Sequence, residues 1–86
     1  MKDDQEFLTE LVKALVNEPK KVKVDRLVNE RGVLLTIDCD PSDIGLLVGK
    51  QGHNIDAIRN LVRIIGMKNK SYVSVKINQP DRPENK

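Results

Sequence analysis

The residues with the clearest chemical potential form a four-residue segment, Gly49-Lys50-Gln51-Gly52, with a glycine at each end. Because glycine has no Cβ atom, the backbone at Gly49 and Gly52 can adopt unusual dihedral angles, and a sugar-phosphate chain can approach it closely. Apolar residues follow at helical spacing, and the free N–H groups at the start of a helix favour a phosphate group. Lys50 adds a positive charge, and Gln51 adds hydrogen-bond donors and an acceptor. The segment therefore predicts a phosphate-binding loop.

Apolar side chains flank this loop and predict a shallow groove beside it. Four of them form the predicted wall of the groove: Ile44, Leu47, Val48 and Ile55. Bases of a single-stranded RNA can lie against such aliphatic side chains, while backbone and polar side-chain groups read a few of the bases. The chain has no Trp, one Phe and one Tyr, so binding through a row of stacked aromatic rings is disfavoured.

Two further side chains are predicted RNA-binding positions, and each has an ordinary alternative interpretation. His53 follows the loop directly and is either a solvent-facing side chain or a phosphate contact that strengthens as the pH falls. Arg59 lies on the polar face of the same predicted helix, three residues after Asp56. It either forms a weak ion pair on a solvated surface or extends the positive charge toward RNA.

Length and composition indicate one small α+β domain. The chain has 86 residues, of which 38% are apolar and 33% charged, which is ordinary for such a domain. The formal charge of +2 gives only a mild bias toward anionic partners. Cys39 is the only cysteine, which excludes an internal disulfide and a CxxC zinc or redox motif, and it is predicted as a small buried hydrophobe. We predict no metal site, no cofactor and no catalytic residue.

The sequence also predicts where the domain ends and where the protein acts. Residues 1–78 are expected to form the domain, and residues 79–86, with two prolines and mostly polar or charged side chains, a disordered tail. No segment resembles a signal peptide or approaches the roughly 20 apolar residues needed to cross a bilayer. We therefore expect a cytoplasmic protein without a membrane partner.

Capping and periodicity signals in the first half of the chain predict a helix and two strands. Asp3 and Glu6 fit the N-cap and N3 positions of a helix that ends near Asn17. Two alternating segments, 22–28 and 33–39, predict a hairpin of strands. The second segment is the more apolar, so we expect it to be the central strand.

The second half of the chain adds two helices around the loop and a last strand. Asp40 fits the N-cap of a short helix that ends at Val48. A second helix follows Gly52, and Gly66 is expected to cap its C-terminus. Alternation resumes over residues 71–77. The order α-β-β-α-α-β predicts three helices covering one face of a three-stranded sheet, with the other face open.

A family resemblance follows from the segment between Leu47 and Ile58, LVGKQGHNIDAI. It resembles the I-G-x-x-G-x-x-I core of KH domains, and the predicted order of elements is similar to their type II arrangement. The chain from about residue 3 to 78 resembles the small bacterial single-KH proteins of the KhpA family. Leu47-Val48 replaces the commoner Ile-Ile or Val-Ile before the first glycine, a departure expected to change the groove little.

The resemblance carries expectations beyond the residues themselves. It implies binding of single-stranded RNA with little sequence selectivity and a role as an RNA chaperone. It also implies pairing with a second KH-containing protein or self-association into a homodimer. In some bacteria the family affects cell length and peptidoglycan homeostasis. None of these cellular roles can be deduced from the side chains alone.

Three other classes of function fit the sequence less well than RNA binding. A phosphate-handling enzyme would need a P-loop, but only three residues separate Gly45 from Gly49, and Gln51 rather than Ser or Thr follows the lysine. A helix-turn-helix DNA reader is disfavoured because strands flank the two helices and the second helix carries Asp56. A KH fold used only for protein interaction is disfavoured by the intact loop with its lysine.

Overall fold

The computed structural model describes residues 3–78 as three helices packed on a three-stranded sheet. The elements, in chain order, are helix α1 Asp4–Leu15, strands β1 Lys23–Asn29 and β2 Gly32–Asp38, helices α2 Pro41–Val48 and α3 His53–Lys68, and strand β3 Val73–Ile77. Short 3-10 turns occupy Pro19–Lys21 and Lys50–Gly52. The predicted α+β class and element order are confirmed. The predicted disordered tail lies outside the described residues.

The sheet has the order β1-β2-β3, so β2 is central, as its apolar sequence predicts. β1 pairs antiparallel with β2 through the hairpin, and β3 pairs parallel with β2 from Val33↔Val73 to Ile37↔Ile77. Parallel neighbours need a long crossover connection. Here α2, the loop and α3 form that connection, which places the loop at the far turn of the crossover.

One face of the sheet carries the hydrophobic core. On β2 the side chains of Val33, Leu35 and Ile37 are buried, whereas the alternate residues are only half-buried. The helices contribute further buried side chains to this core: Leu8, Val12, Leu47, Ile55, Ile58 and Val62. Leu27 and Tyr72 remain largely exposed. No helix within residues 3–78 is long and apolar enough to span a bilayer.

Local capping confirms the predicted helix starts and corrects one predicted end. The Asp3 side chain accepts a hydrogen bond from the Glu6 amide at 2.8 Å, and Asp40 accepts from the Ser42 amide at 3.2 Å. Gly66, however, is a buried residue inside α3 and does not cap the helix. A Cβ atom at Gly66 would lie 2.6 Å from Val73 Cγ2. The glycine is therefore needed for close packing of β3 on α3, which local sequence cannot indicate.

Asp43 joins the start of α2 to the chain that leaves α1. Its side chain is fully buried, and its carboxylate accepts hydrogen bonds from the Asn17 amide, the Asn17 side chain and the Glu18 amide at 3.1–3.3 Å. Three donors compensate the desolvation of the carboxylate, as a buried polar group requires. This contact fixes the register of α2, and therefore of the loop, relative to α1.

Asp43→Ala is expected to lower the free energy of unfolding by about 2–4 kcal/mol, because the part-buried donors at Asn17 and Glu18 lose their acceptor and the buried site of the carboxylate is left empty. Urea denaturation measures the change. Asp25→Ala is the matched control, since Asp25 is exposed on β1, and should change the stability by less than about 0.5 kcal/mol. Equal effects of the two substitutions would contradict the buried role of Asp43.

Candidate nucleic-acid interface

The loop between α2 and α3 reverses the chain through an unusual run of backbone conformations. Gly49 has φ 75° and ψ 176°, and Gly52 has φ 81° and ψ 11°. Between them Gln51 has φ 57° and ψ 23°. The Gly49 conformation is essentially restricted to glycine, whereas the left-handed region of Gly52 is merely costly for other residues. The two glycines therefore permit a tight reversal, as the sequence predicts.

The tip of this loop faces solvent, and its neighbouring amides are already satisfied. The Gly49 amide donates to Gly45 O at 2.8 Å, and the Gly52 amide donates to Gly49 O at 3.2 Å. The His53 amide donates to Lys50 O. The amides of Lys50 and Gln51 lie between these bonded groups, on residues that are exposed.

The N-terminus of α3 is open to an anion. Gly52 occupies its N-cap position, and among the described residues no side chain forms a capping hydrogen bond there. Asp56, in the first turn of α3, is 65% exposed and lies 3.5 Å from Arg59 Nη1. The partial positive charge of the helix end therefore lies three residues along the chain from the exposed residue Lys50.

Asn54 is a residue of this site that sequence reasoning missed. Its Nδ2 donates to the carbonyl of Leu46 at 2.8 Å, which connects the first turn of α3 to the last turn of α2. The side chain also lies directly over Gly49. An Asn two residues after a G-x-x-G segment is a weak signal, because the contact depends on how the two helices meet.

The four predicted groove residues differ in how far their side chains are exposed. Ile44 and Val48 are half-buried and lie four residues apart, on one side of α2. Leu47 is fully buried and Ile55 is 7% exposed, because both belong to the hydrophobic core. The accessible apolar surface is therefore formed by Ile44 and Val48, while Leu47 and Ile55 hold the helices together behind it.

The two predicted cationic positions lie in different places. His53 is exposed as the first residue of α3, immediately beside the loop. Arg59 extends to the edge of the sheet, where its Nε donates to the carbonyl of Val75 at 3.2 Å. The structure therefore groups His53 with the loop and separates Arg59 from it.

The alternatives based on catalysis find no matching geometry. Gly45 lies inside α2, which extends to Val48 with Gly49 as its C-cap, so the segment that begins at Gly45 is the end of a helix and not the P-loop of a nucleotide-handling enzyme. Cys39 is half-buried against the core, and burial, followed by Asp43 and two further carboxylates nearby, raises the pKa of its thiol. A raised pKa makes the thiol a poor nucleophile. Residues 3–78 contain no cluster of three or more metal-ligating side chains.

The three glycines around the loop should respond differently to alanine. Gly45→Ala should stabilise the fold by about 0.5–1 kcal/mol, because it lies in a helix with open space around it. Gly52→Ala has space but a positive φ, and should cost about 1–2 kcal/mol. Gly49→Ala should cost the most, above about 2 kcal/mol, because strain and a clash with Asn54 combine. Urea denaturation of the three variants tests this order, and equal losses at Gly45 and Gly49 would contradict it.

Comparison with known proteins places this architecture in a family. The model of the KhpA/KhpB KH domain matches residues 5–77. A protein of Caldanaerobacter subterraneus subspecies tengcongensis, named RNA-binding protein KhpA, is 35% identical over 72 residues, which cover 84% of this chain and 96% of the relative. Proteins with the same name from Clostridium perfringens and Chlamydia pneumoniae are 33% and 32% identical, over 85% of this chain and 97% and 94% of their own lengths. The loop, the element order and these matches agree, and the chain belongs to the KhpA/KhpB family of RNA-binding KH-domain proteins.

Proposed function

We propose that this protein binds single-stranded RNA through the loop from Gly49 to Gly52. The observation that carries the proposal is the uncapped start of α3, beside which Lys50 and Gln51 are exposed. A phosphate at this position would accept from the loop amides and interact with the Lys50 ammonium group. A neighbouring nucleotide would place its base against Ile44 and Val48, and His53 would contact the backbone.

Sequence selectivity is expected to be low. The exposed part of the groove is aliphatic, and Gln51 is the exposed side chain of the loop tip that can both donate and accept. Phosphate contacts carry no sequence information, whereas base edges are read by convergent polar groups. One KH unit spans about four nucleotides, so the affinity of a single chain should be modest.

Family membership supports a proposal for the cellular role. We propose that the protein acts in the cytoplasm as an RNA chaperone in post-transcriptional regulation, without catalysis. The family resemblance extends this proposal to cell length and peptidoglycan homeostasis. Weak, sequence-tolerant contacts suit a chaperone, because it must release an RNA strand after the strand has found a better partner.

We also propose that the chain pairs through α3 with a second KH chain, a second copy of itself in the first instance. An uncharged stripe runs along the exposed side of this helix: Ala57, Asn60, Leu61, Ile64 and Met67. Leu15 and Leu46 are exposed beside it and extend the apolar surface. Two such helices can pack antiparallel about a twofold axis, which brings identical apolar stripes together. A second chain would raise the effective affinity for RNA by avidity.

Lys50→Asp with Gln51→Asp should lower the affinity for an unstructured RNA by at least about tenfold, because phosphate would meet two carboxylates. For the unaltered chain, the slope of log K against log salt should be about −1.5 to −3, as expected for two to four neutralised phosphates. The slope should become shallower in the double variant. Fluorescence anisotropy at several salt concentrations measures both quantities.

The control for this experiment is Asn69→Asp with Lys70→Asp, which makes the same change in net charge at the opposite end of α3. Both residues are exposed, so binding should change by less than about threefold, the part due to net charge alone. Circular dichroism checks that both variants fold. Unchanged binding by the loop variant would show that RNA does not bind at this loop.

Ile64→Glu should shift the chain from dimer to monomer, because it places charge at the centre of the proposed contact. Leu27→Glu is a closely matched control: Leu27 is 57% exposed on β1, and Ile64 is 55% exposed on α3. Sedimentation velocity measures the association state of each variant. If Leu27→Glu dissociates the chains and Ile64→Glu does not, the contact lies on the open sheet face instead.

A further inference from the structure

We propose that Asn54 is a positioning residue for RNA binding, which holds the loop in its binding conformation from the first turn of α3. This inference depends on the proposed RNA site at Gly49 to Gly52. Asn54 itself lies between the second glycine and Ile55, at a position where the I-G-x-x-G-x-x-I pattern specifies no residue. Its role follows from two contacts, one polar and one steric.

The polar contact satisfies a carbonyl that α2 leaves without a helical partner. In a continuous helix, the carbonyl of Leu46 would accept from the amide of Lys50. The chain turns at Gly49 instead, and the side-chain amide of Asn54 supplies the donor at 2.8 Å. The end of α2 and the start of α3 are therefore joined across the base of the loop, eight residues apart in sequence.

The steric contact closes the space above Gly49. A Cβ atom at Gly49 would lie 2.5 Å from Asn54 Cγ and 2.8 Å from Asn54 Cβ. The Asn54 side chain thus occupies the volume that a side chain at the first glycine would need. Gly49 is held between the last turn of α2 and Asn54, and its backbone direction sets where the amides of Lys50 and Gln51 point.

The consequence for binding is a matter of preorganisation. The turn has positive φ angles at Gly49, Gln51 and Gly52, so other conformations compete with it. Only one of these conformations aligns the amides of Lys50 and Gln51 with the α3 terminus. If Asn54 were removed, the loop would lose part of this alignment before RNA arrives. The expected loss of affinity is about 2- to 10-fold, the effect of one hydrogen bond of net strength typical in proteins.

The test compares Asn54→Ala and Asn54→Leu with Asn69→Ala. Leucine keeps the branched shape over Gly49 but lacks the donor, whereas Asn69 is an exposed asparagine at the C-cap of the same helix. Binding to a fluorescein-labelled twelve-nucleotide polyuridine should weaken for both Asn54 variants and stay unchanged for Asn69→Ala. In the RNA-free protein, NMR should show altered amide shifts at Lys50 and Gln51 for the Asn54 variants only. Hydrogen exchange should become faster in the same variants at Gly52 and His53, whose amides are hydrogen-bonded within the loop.

The free-protein measurement separates positioning from direct contact with RNA, since a direct contact would leave the loop amides unchanged before binding. A double-mutant cycle adds a second readout: Gly49→Ala should lower the melting temperature less in the Asn54→Ala background. The φ strain at position 49 is the same in both backgrounds, and the two shortest contacts, to Asn54 Cγ and Nδ2, are absent in the second, whereas the contact to Cβ remains. If Asn54→Ala binds RNA normally while Lys50→Asp with Gln51→Asp does not, the positioning role is wrong and the RNA site stands. If that loop variant binds normally, the RNA site itself is wrong, and the positioning role falls with it.

Discussion

Parallel strands such as β2 and β3 cannot be joined by a tight turn, because the chain must return to the same end of the sheet before the second strand begins. In this chain the return path consists of two helices on one face, α2 leaving the sheet and α3 coming back. The turn between them therefore lies at the edge of the helical layer, where its backbone is accessible. Burial of Leu47 from α2 and of Ile58 from α3 in the same core fixes the ends that meet at this turn.

Electrostatics at the loop derive from few groups, which has consequences for binding. The net charge is only +2, and the nearest arginine along α3, Arg59, is engaged with Val75 O and Asp56. The local positive potential therefore comes from the α3 terminus and Lys50. At the proposed RNA site, which lacks a large basic surface, short-range geometry would therefore contribute more to phosphate binding than long-range attraction.

The features that were predictable from sequence are those with local signals. Alternation on β2 and the Asp3 and Asp40 caps depend on neighbouring residues, and the structure confirms them. It was also predictable that the loop would adopt unusual backbone dihedral angles, because a glycine stands at each end of it. The features that were misplaced or missed depend on how the helices pack against the sheet and against each other. Periodicity alone could not distinguish the groove residues of α2 from its core residues. It also could not show that Gly66 is needed for packing and not for capping, or that Asn54 contacts Leu46.

Because α3 carries both proposed surfaces, the geometry of one constrains the use of the other. The loop lies at its N-terminus, and the uncharged stripe between Ala57 and Met67 is centred about ten residues further along. At 1.5 Å per residue, an antiparallel pair crossing at that centre would separate the two loops by roughly 30 Å. An RNA shorter than this span engages one loop at a time and gains nothing from the second chain. A longer strand would engage both loops. Pairing of the chains would therefore favour longer RNA strands, although the loop itself does not discriminate between RNA sequences.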